Sequence, residues 1–440
     1  MSASAGPITI RTTDGAISDV ALDRPPLAWV DNVLLFGLFF VLAFAIVAFG
    51  AVEPWSIFVF EAGALLLFVI WAIKQLAQRD FALGWNPLYL AFAIVAGVVG
   101  IQFLLGLTAY RAATQEQSLK YLAYLFLIVV ANDVFLRRLL VQRFARLLSF
   151  FGFALACVAL AQGATHSSKL LFLRAAREAA WSYGPYVNHS HYAGLMLMLA
   201  PLPLTLAMAP YLRGWTRAVL GAAASVLVAT IFLSGSRGGV IAFFAQAAFL
   251  ALVFARGRQH RRKIAITACF AFIFLAGLFA FGRGSTLERL ASLRSPLSTE
   301  IAGLRLAVLK DSHAMLHERP VLGWGLGTFQ YVYPQFRSFY TNYLVDHAHN
   351  DYLEFLIETG LLGFAGVLWF VIVLLRSGWQ KLPHWKTGLT GTVKIGAMAG
   401  CIAILVHSLV DFNLQITANA ALFYVLATMV AGNSQEASGL

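Results

Sequence analysis

Charged residues are scarce in this chain. Asp, Glu, Lys and Arg together make up 12% of its 440 residues, whereas hydrophobic residues make up 60%. Uncharged runs of about twenty residues recur along the chain, and the mean hydropathy is +0.76. A soluble domain with a single buried core does not account for this pattern. The sequence therefore predicts an all-α fold, a polytopic helical membrane protein.

Cysteine and paired aspartate are scarce as well. The three cysteines, Cys157, Cys269 and Cys401, all lie inside apolar runs, which indicates packing residues and argues against a disulfide framework or a metal cluster. The chain contains no Asp-x-Asp, the carboxylate pair with which many sugar-transferring enzymes hold a divalent cation. We therefore expect no metal and no other cofactor, with a zinc site built from histidine and aspartate as the remaining alternative.

A window of roughly twenty residues gives about twelve candidate transmembrane helices. Their starts lie near Asp31, Trp55, Pro87, Leu119, Phe144, His191, Ala218, Gly239, Ile264, Tyr352, Val393 and Gln415. The polar first 26 residues contain no apolar segment before a cleavage site. We therefore expect no signal peptide and an uncleaved first span.

The distribution of Lys and Arg predicts the orientation, because cytoplasmic loops are enriched in these residues. They concentrate in alternate loops, at Lys74, Arg79, Arg137, Arg138, Arg143, Arg146, Arg213, Arg217, Arg256, Arg258, Arg261, Arg262, Lys263, Arg376, Lys381, Lys386 and Lys394. Both termini are then predicted to be cytoplasmic. Much of the net charge of +12 is a topology signal, so nucleic acid is not an expected partner.

This orientation divides the chain into seven segments. We predict a cytoplasmic tail over residues 1–30, transmembrane helices one to five over 31–162, an outer loop over 163–190, and helices six to nine over 191–281. The prediction continues with a large outer loop over 282–350, which contains helices, with helices ten to twelve over 351–432, and with a cytoplasmic tail over 433–440. Because structureless loops beyond about fifteen residues are uncommon, the large loop is expected to carry function.

One polar segment lies where the large outer loop meets an apolar run. Residues Asp346–Glu354 read Asp-His-Ala-His-Asn-Asp-Tyr-Leu-Glu. Asn350 and Asp351 suit the start of a helix, but capping alone does not explain two histidines and two aspartates within six residues. Imidazoles exchange protons near neutral pH, and carboxylates nearby orient them. We therefore predict that His347 and His349 belong to a catalytic or substrate-binding site.

The large loop also contains a predicted helix and a glycine-rich turn. Ser298 or Thr299 is the predicted N-cap, and a periodic apolar face follows up to Pro320, formed by Ile301, Leu304, Val308, Met315 and Leu316. Gly323–Gly327 lacks the Lys-Ser/Thr ending of a P-loop, so we interpret it as a tight turn with close backbone approach.

Two histidines of that helix have the spacing of zinc ligands. His313 and His317 stand four apart, but Ala314 occupies the position where a zinc protease has its glutamate. We therefore interpret the pair mainly as the wet face of an amphipathic helix, and we keep His313 as a candidate substrate-binding residue.

An arginine lies on a very short outer turn between the seventh and eighth predicted spans. The turn reads Ser-Gly-Ser-Arg-Gly-Gly over residues 234–239, so Arg237 is flanked by residues too small to cover it. A membrane anchor is one interpretation. A guanidinium fork on a glycine-lined turn also suits a phosphate or diphosphate, because it binds two oxygens at once.

Further polar residues are predicted to surround the same outer vestibule. They are Arg174 and Arg177, which would share a face of a helix; Arg305 on the loop helix; Asn188, His189 and His191 at the start of the sixth span; and His407 with Asp411 near the outer end of the eleventh. Each alone suits a cap or an anchor. Together they suit a polyanionic, lipid-linked substrate.

Four motifs give the chain a family resemblance. They are Ser-Gly-Ser-Arg-Gly-Gly at 234–239, His-Glu-Arg-Pro-Val-Leu-Gly-Trp-Gly-Leu-Gly-Thr-Phe at 317–329, His-Asn-Asp-Tyr-Leu-Glu at 349–354 and His-Ser-Leu-Val-Asp-Phe-Asn-Leu at 407–414. With these motifs the chain resembles the O-antigen ligase and polymerase superfamily, and most closely an O-antigen ligase. The resemblance is strongest from about residue 185 to 425.

The resemblance implies a glycosyltransferase in the bacterial inner membrane, with its active site on the periplasmic face. It implies a donor glycan on undecaprenyl diphosphate and an acceptor hydroxyl on the lipid A-core, alongside membrane lipids. By that analogy His349 is the general base and Arg237 and Arg305 bind the diphosphate. Asp346 or Asp351 would orient the base.

Three other functions remain open at this point. A polymerase would join repeat units to each other, and a protein O-oligosaccharyltransferase would use serine or threonine as the acceptor. A transporter of the lipid-linked glycan would need ionisable residues along an intramembrane path. The predicted spans contain few such residues and no inverted repeat, which argues against transport.

Overall fold

The structure is a computed structural model, and it describes residues 28–78, 84–165, 167, 169–175, 184–209, 212–255, 296–341, 344–385 and 388–432. Each predicted span within these ranges contains a helix. The ninth predicted span, near Ile264, lies outside the described residues.

The first half of the chain forms helices joined by short connections. They are α1 (Ala28–Val47), α2 (Pro54–Gln78), α3 (Leu88–Leu104), α4 (Arg111–Val134), α5 (Arg138–Ala164), α6 (His189–Leu199), α7 (Pro201–Met208), α8 (Gly214–Leu233) and α9 (Arg237–Ala255). Between α5 and α6, two short strands, β1 (Lys169–Leu170) and β2 (Arg174–Ala175), pair antiparallel.

The second half contains the loop helices and the last spans. These elements are α10 (Pro296–Glu318), α11 (Phe329–Val332), a 3-10 turn (Tyr333–Gln335), α12 (Asp351–Trp385), α13 (Leu389–His407), a second 3-10 turn (Asn413–Gln415) and α14 (Thr417–Ala431). The described part of the chain is thus almost entirely helical.

Eight helices of the described residues are long and apolar enough to cross a membrane, with α6 and α7 counted as one helix. The helices α3 and α14 are apolar but shorter. The helix α4 begins at Arg111, eight residues before the predicted start at Leu119, because its first turns are polar. The prediction of an all-α polytopic membrane protein is confirmed.

The centre of the bundle is α13, which contacts α6, α7, α9, α12 and α14. Most of its side chains are buried, including Lys394 and His407. Apolar side chains surround it on all sides in one large cluster. Because α13 ends at His407, the connection from α13 to α14 emerges from the middle of the bundle at one end.

The polar residues of the bundle collect at its two ends. At the end predicted to be cytoplasmic, Lys74 lies between Asp31, at 2.7 Å, and Asp133, and Arg137 also pairs with Asp31. These four residues belong to α1, α2, α4 and the α4–α5 connection, so the ion pairs join three helices. A buried charge is stable only with such partners.

The connections predicted to be periplasmic meet at the opposite end. The N–H of Ala109 donates to the Trp324 carbonyl at 2.7 Å, and the N–H of Ala418 donates to the Gly50 carbonyl at 3.1 Å. The N–H of Asp351 donates to the Ser408 carbonyl at 3.0 Å. Loops far apart in sequence therefore form one polar layer on the bundle.

The helix α10 differs from its prediction at the N-terminus. It begins at Pro296, so the predicted N-cap at Ser298 or Thr299 is wrong. Proline suits the first turn of a helix, because its missing N–H would have no partner there.

The predicted apolar face of α10 is confirmed in part. Val308 and Met315 are buried in a cluster that includes Trp324, and Leu316 packs against it. Leu304 is 38% exposed, so it does not belong to the buried face.

A glycine breaks α12 and lets the glycine-rich turn dock on it. Gly360 has φ 65° and ψ −173°, a conformation that glycine adopts at little cost. Beyond the break, the N–H of Leu361 donates to the Pro320 carbonyl at 2.8 Å. In return, the amides of Trp324 and Gly325 donate to the carbonyls of α12 at Ile357 and Glu358, at 3.1 and 2.9 Å. The turn and the helix therefore exchange backbone hydrogen bonds.

Gly360→Ala is expected to destabilise the protein. A β-carbon at this position would lie 2.2 Å from the Val321 carbonyl oxygen, and a left-handed backbone costs a non-glycine residue about 1–2 kcal/mol even without that clash. The free energy of unfolding should fall by at least about 2 kcal/mol, measured as a lower midpoint of thermal unfolding in detergent. Gly97→Ala in α3 is the matched control, because nothing lies within 4 Å of its β-carbon. An unchanged midpoint for Gly360→Ala would show that the backbone hydrogen bonds between the glycine-rich turn and α12 contribute no stability.

Candidate functional site

The predicted polar segment forms a loop that ends in the N-cap of α12. The N–H of Leu353 donates to Oδ1 of Asn350 at 3.0 Å, and Nδ2 of Asn350 donates to the Leu409 carbonyl at 2.9 Å. Both polar groups of this side chain are therefore engaged within the protein. The N–H of Leu414 donates to Oδ2 of Asp351 at 3.0 Å, which ties the start of α12 to the α13–α14 connection.

A buried glutamate holds the first histidine of this loop. Nδ1 of His347 lies 2.7 Å from Oε1 of Glu354, and the N–H of Ala348 donates to Oε2 at 2.8 Å. Burial lowers the pKa of His347, but Glu354 and, more weakly, Asp346 raise it to about 9. His347 is thus a charged imidazolium at neutral pH.

Phe412, in the α13–α14 connection, packs against three histidines, two from the loop before α12 and one from α6. Its ring stacks on His347, with 4.3 Å between centroids and 23° between planes. His349 and His191 contact it edge to face at 5.1 and 4.6 Å. The phenyl ring therefore sets the spacing of the imidazoles, and it joins the loop before α12 to α6.

His349 combines a strained backbone with a free ring nitrogen. Its φ of 54° lies in the left-handed region, which a non-glycine residue adopts at a cost and which is frequent at functional sites. Within the described part of the chain, its buried Nδ1 has no hydrogen-bond partner. Burial lowers the pKa of His349, Arg305 lowers it further, and Asp411 and Asp346 act in the opposite direction. The ring is therefore neutral at pH 7 and able to accept a proton.

His407 and Asp411 form a polar pair behind the histidine loop. Nε2 of His407 lies 3.8 Å from Oδ2 of Asp411 and 3.4 Å from Oγ of Ser236. Burial alone would raise the pKa of Asp411, but the neighbouring imidazoles of His191 and His407 and the hydrogen bond from the Phe412 N–H lower it. The carboxylate is thus negatively charged at neutral pH and stabilises nearby imidazolium forms.

The short turn before α9 packs directly against this pair. Oγ of Ser236 accepts from the N–H of Gly239 at 3.1 Å and caps α9. A β-carbon on Gly238 would lie 2.8 Å from the His407 ring, so only glycine allows this approach. Arg237 is exposed at the first position of α9. The close approach at Gly238 therefore brings the start of α9, where the exposed Arg237 lies, to the polar end of α13.

The two arginines predicted to bind diphosphate are both exposed. Arg305 lies on α10, close enough to His349 to lower its pKa. Arg237 lies on the turn that contacts His407. Arg305 thus acts electrostatically on His349, and Arg237 is the residue before the glycine that approaches His407.

The other predicted residues have different surroundings. Arg174 pairs with Glu53 and lies over the Phe49 ring at 5.2 Å. It belongs to strand β2, so the prediction that a helix aligns it with Arg177 is wrong at this position. Arg177 lies outside the described residues.

Two predicted histidines lie on helices of this end. His189 is the first residue of α6, and Asn188 caps that helix by accepting from the Ser190 N–H at 2.8 Å. His313 is exposed on α10, with its Nε2 3.0 Å from Nε2 of His317. This exposure agrees with the interpretation of the pair as a wet helix face.

The glycine-rich turn binds protein backbone. Gly323, Gly325 and Gly327 have φ of 69°, 116° and 77°, and the amides of Trp324 and Gly325 already donate to α12. The interpretation as a tight turn with close backbone approach is confirmed.

Two cavities flank the start of α12. One is polar, and its lining includes Lys120, His347, Glu354 and Glu358. The other is lined mainly by apolar side chains of α3, α12 and α14 and reaches Asp351. Lys120, Glu358 and Phe412 were not predicted as site residues. Lys120 lies on α4, far from the motifs in sequence, and only the tertiary structure brings it to the loop.

The described side chains of this cluster do not have the arrangement of metal ligands. Among the described residues, no group of three or more His, Cys, Asp or Glu side chains is placed to hold a metal ion. The histidines of the site contact Phe412 and carboxylates, and their nitrogens do not converge on one point.

The fold and the site together define a polytopic membrane protein with a histidine-centred polar site at one end of its helices. Residues 222–368 match the family model described as O-Antigen ligase, which confirms the resemblance to the O-antigen ligase superfamily. No curated protein matches the chain. The matched segment includes Arg237, Arg305 and the loop from Asp346 to Glu354, whereas Phe412 lies beyond it.

The description of the matched family model implies glycan transfer, and in an assay of that reaction Arg237→Lys is expected to lower the rate by about tenfold or more. Lysine keeps the charge but loses the bidentate fork, and one hydrogen bond to a charged group contributes about 1.5–3 kcal/mol. Arg213→Lys, at the exposed start of α8, is the matched control for a general effect of the substitution. Near-normal transfer by Arg237→Lys would identify Arg237 as a membrane anchor.

Proposed function

We propose that this protein is an O-antigen ligase. It transfers a polysaccharide from an undecaprenyl-diphosphate carrier to a sugar hydroxyl of the lipid A-core in lipopolysaccharide synthesis. The observation that carries the proposal is His349, whose ring is partly buried, neutral and without a partner at Nδ1 among the described residues. It lies next to Arg305 within the segment that matches the family.

The proposed reaction is a single displacement at the anomeric carbon. His349 takes the proton from the acceptor hydroxyl as its oxygen forms a bond to that carbon. The bond from the carbon to the diphosphate oxygen breaks, and its electron pair leaves with the diphosphate. Base catalysis of this kind needs a neutral imidazole within reach of the hydroxyl.

Charge on the leaving diphosphate grows in the transition state. Fixed cations that meet this charge lower the barrier, and we assign this role to Arg237 and Arg305. Both are exposed beside histidines of the site. His347, Asp351 and His189 line the same polar end and are proposed to contact the substrate, with Arg174, Arg177 and His313 further out. Asn350 is assigned mainly to capping α12, because its polar groups are engaged there.

The orientation of His349 is assigned to one carboxylate of the predicted pair, Asp346, and to one outside it, Asp411. Both raise the pKa of His349 and so favour its protonated form. Asp351 instead accepts from Leu414 N–H. We therefore propose Asp411 and Asp346 as the carboxylates that stabilise the imidazolium formed during transfer.

A lipid-linked donor needs an apolar surface beside the polar site. The apolar cavity lined by Phe92, Val95, Phe355 and Phe370 reaches the start of α12 at Asp351. A prenyl chain placed there would leave its diphosphate in the polar layer. This arrangement supports a lipid-linked donor and a location in the bacterial inner membrane, with the site on the periplasmic face.

Transfer should require His349 and should fall with decreasing pH. His349→Ala removes the base and is expected to lower the rate by about a hundredfold or more. Because the pKa of His349 is lowered below its ordinary value, the neutral base is present at pH 7 and is lost only under acidic conditions. The measurement is glycan transfer by purified protein from undecaprenyl-diphosphate-linked glycan in EDTA. His317→Ala, on the exposed face of α10, is the control.

The acceptor decides between the members of the superfamily. The transfer assay is run in parallel with three acceptors. They are lipid A-core, free lipid-linked repeat units and a serine- and threonine-rich peptide. Transfer to the repeat units alone would identify a polymerase, and transfer to the peptide a protein O-oligosaccharyltransferase. Near-normal transfer by His349→Ala would refute the base assignment, and a loss in EDTA that one divalent cation restores would refute a metal-independent reaction.

The periplasmic location of the site predicts the accessibility of single cysteines. In a variant without Cys157, Cys269 and Cys401, Ser338→Cys should react with a membrane-impermeant maleimide in intact spheroplasts. Gln380→Cys, at the far end of α12, should react only after permeabilisation. Both side chains are exposed or at the surface of the bundle. Labelling of position 380 in intact spheroplasts would reverse the proposed orientation.

A further inference from the structure

Glu354 is buried beneath the histidine loop with both of its oxygens engaged. Its side chain is 2% exposed, Oε1 lies 2.7 Å from Nδ1 of His347, and Oε2 accepts from the Ala348 N–H. A buried carboxylate without a cation is costly. Since the His347 ring is the group paired with it, the geometry favours the protonated form of that ring.

The surroundings of His347 support the same charge state. The ring stacks on the face of Phe412 at 4.3 Å, where the electron-rich π face attracts a cation. Its side chain is 25% exposed and lines the polar cavity together with Gln117, Lys120 and Gln415. Because Nδ1 is held by Glu354, Nε2 is the nitrogen left to donate into that cavity.

We infer that His347 is a fixed cation of the site, that Glu354 is the positioning residue that keeps it so, and that Nε2–H of His347 binds an oxygen of the lipid-linked glycan. The inference rests on the proposed function and adds to it the charge and the partner of His347. The two histidines then have different roles. His349 is the neutral base, and His347 is a charged hydrogen-bond donor.

The titration of the two rings agrees with this division. Burial lowers the pKa of His347, but Glu354, Asp346 and Asp351 raise it to about 9. The charge is therefore present at neutral pH and is lost as the pH rises through about 9. Among the described residues, the charged and titratable groups that face the two rings are Asp346, Asp351, Glu354, Glu358, Arg305, Asp411, His191 and the rings themselves, and Lys120 also lines the cavity.

Glu354→Gln tests the inference through the pH profile of transfer. In the unchanged protein the rate should decline above about pH 9, where His347 loses its proton. Glutamine removes the charge that raises this pKa, so the alkaline decline should move down by about two pH units, towards the ordinary histidine value. At pH 8 the variant should then transfer glycan about tenfold more slowly.

A second experiment restores the positive charge at position 347 by substitution. Arginine is charged across this whole pH range, so His347→Arg in the Glu354→Gln background should remove the alkaline decline and recover part of the rate at pH 8. His347→Gln in the same background keeps a neutral donor and should not recover it. Recovery by glutamine equal to that by arginine would overturn the charge assignment.

A purely structural role for Glu354 makes a different prediction. Its contact with the Ala348 N–H also holds the loop, so a loosened loop would lower the rate by the same factor at every pH and leave the alkaline decline in place. That outcome would overturn the inference. Asp311→Asn is the matched control, because Asp311 is a buried carboxylate that accepts from the Ser338 N–H and the Tyr333 hydroxyl and contacts no histidine. Its alkaline decline should remain near pH 9.

Chemical modification separates this inference from the proposed function. Diethyl pyrocarbonate reacts with unprotonated imidazole, and peptide mapping by mass spectrometry reports each histidine. At pH 7.5, His347 should react several-fold faster in Glu354→Gln than in the unchanged protein, because only the latter keeps it protonated. This readout needs no glycan. Equal reactivity in an active protein would overturn the inference alone, and a large difference in a protein that transfers no glycan would overturn the proposed function alone.

Discussion

The exchange of backbone hydrogen bonds at Gly360 is the constraint on which the functional end depends. A membrane offers no water to an interrupted helix, so every N–H and C=O released by a break needs a partner from the protein. In α12 the Pro320–Gly325 segment supplies these partners. The same contacts fix the glycine-rich turn, and with it α10, against the helix that begins beside His349. The break therefore positions the glycine-rich turn and the histidine loop relative to each other.

At the same end of the bundle, the site is built around carboxylates, each of which is costly to bury. Glu354, Asp351 and Asp411 are buried carboxylates, and each accepts a backbone N–H from a loop. Phe412 adds an apolar surface that spaces the imidazoles around them. The cost of burying charge is offset by these contacts, and the result is a set of histidines with different protonation states within one small volume.

The sequence predicts much of the fold because lipid imposes a simple rule on composition. Long apolar runs must be helices, and all eleven predicted spans within the described ranges contain one. The residues of the site are harder to predict from the sequence than the helices are. The cluster from Asp346 to Glu354 is visible because charge is rare, whereas Phe412 is an unremarkable phenylalanine in a chain with 36 of them. Lys120 looks like a polar interruption of a span until the fold places it in the polar cavity.

The errors of prediction have physical causes as well. A helix through Arg174 was expected from the spacing of two arginines, but the short β1–β2 hairpin and the ion pair with Glu53 provide an alternative local structure. At Ser298 and Thr299, favourable capping chemistry was outweighed by Pro296, which suits the first helical turn.

The buried ion pairs at the opposite end of the bundle bear on how the protein is made. Lys74 is one of the basic residues that predict the orientation, yet in the folded protein Asp31 and Asp133 neutralise it. Asp31 precedes Lys74 in the chain, whereas Asp133 is synthesised almost sixty residues after it. During synthesis Lys74 can therefore pair with Asp31 first, and the second aspartate joins only when α4 is added. The same side chain thus contributes to the charge asymmetry from which the orientation is predicted and, in the folded protein, joins three helices.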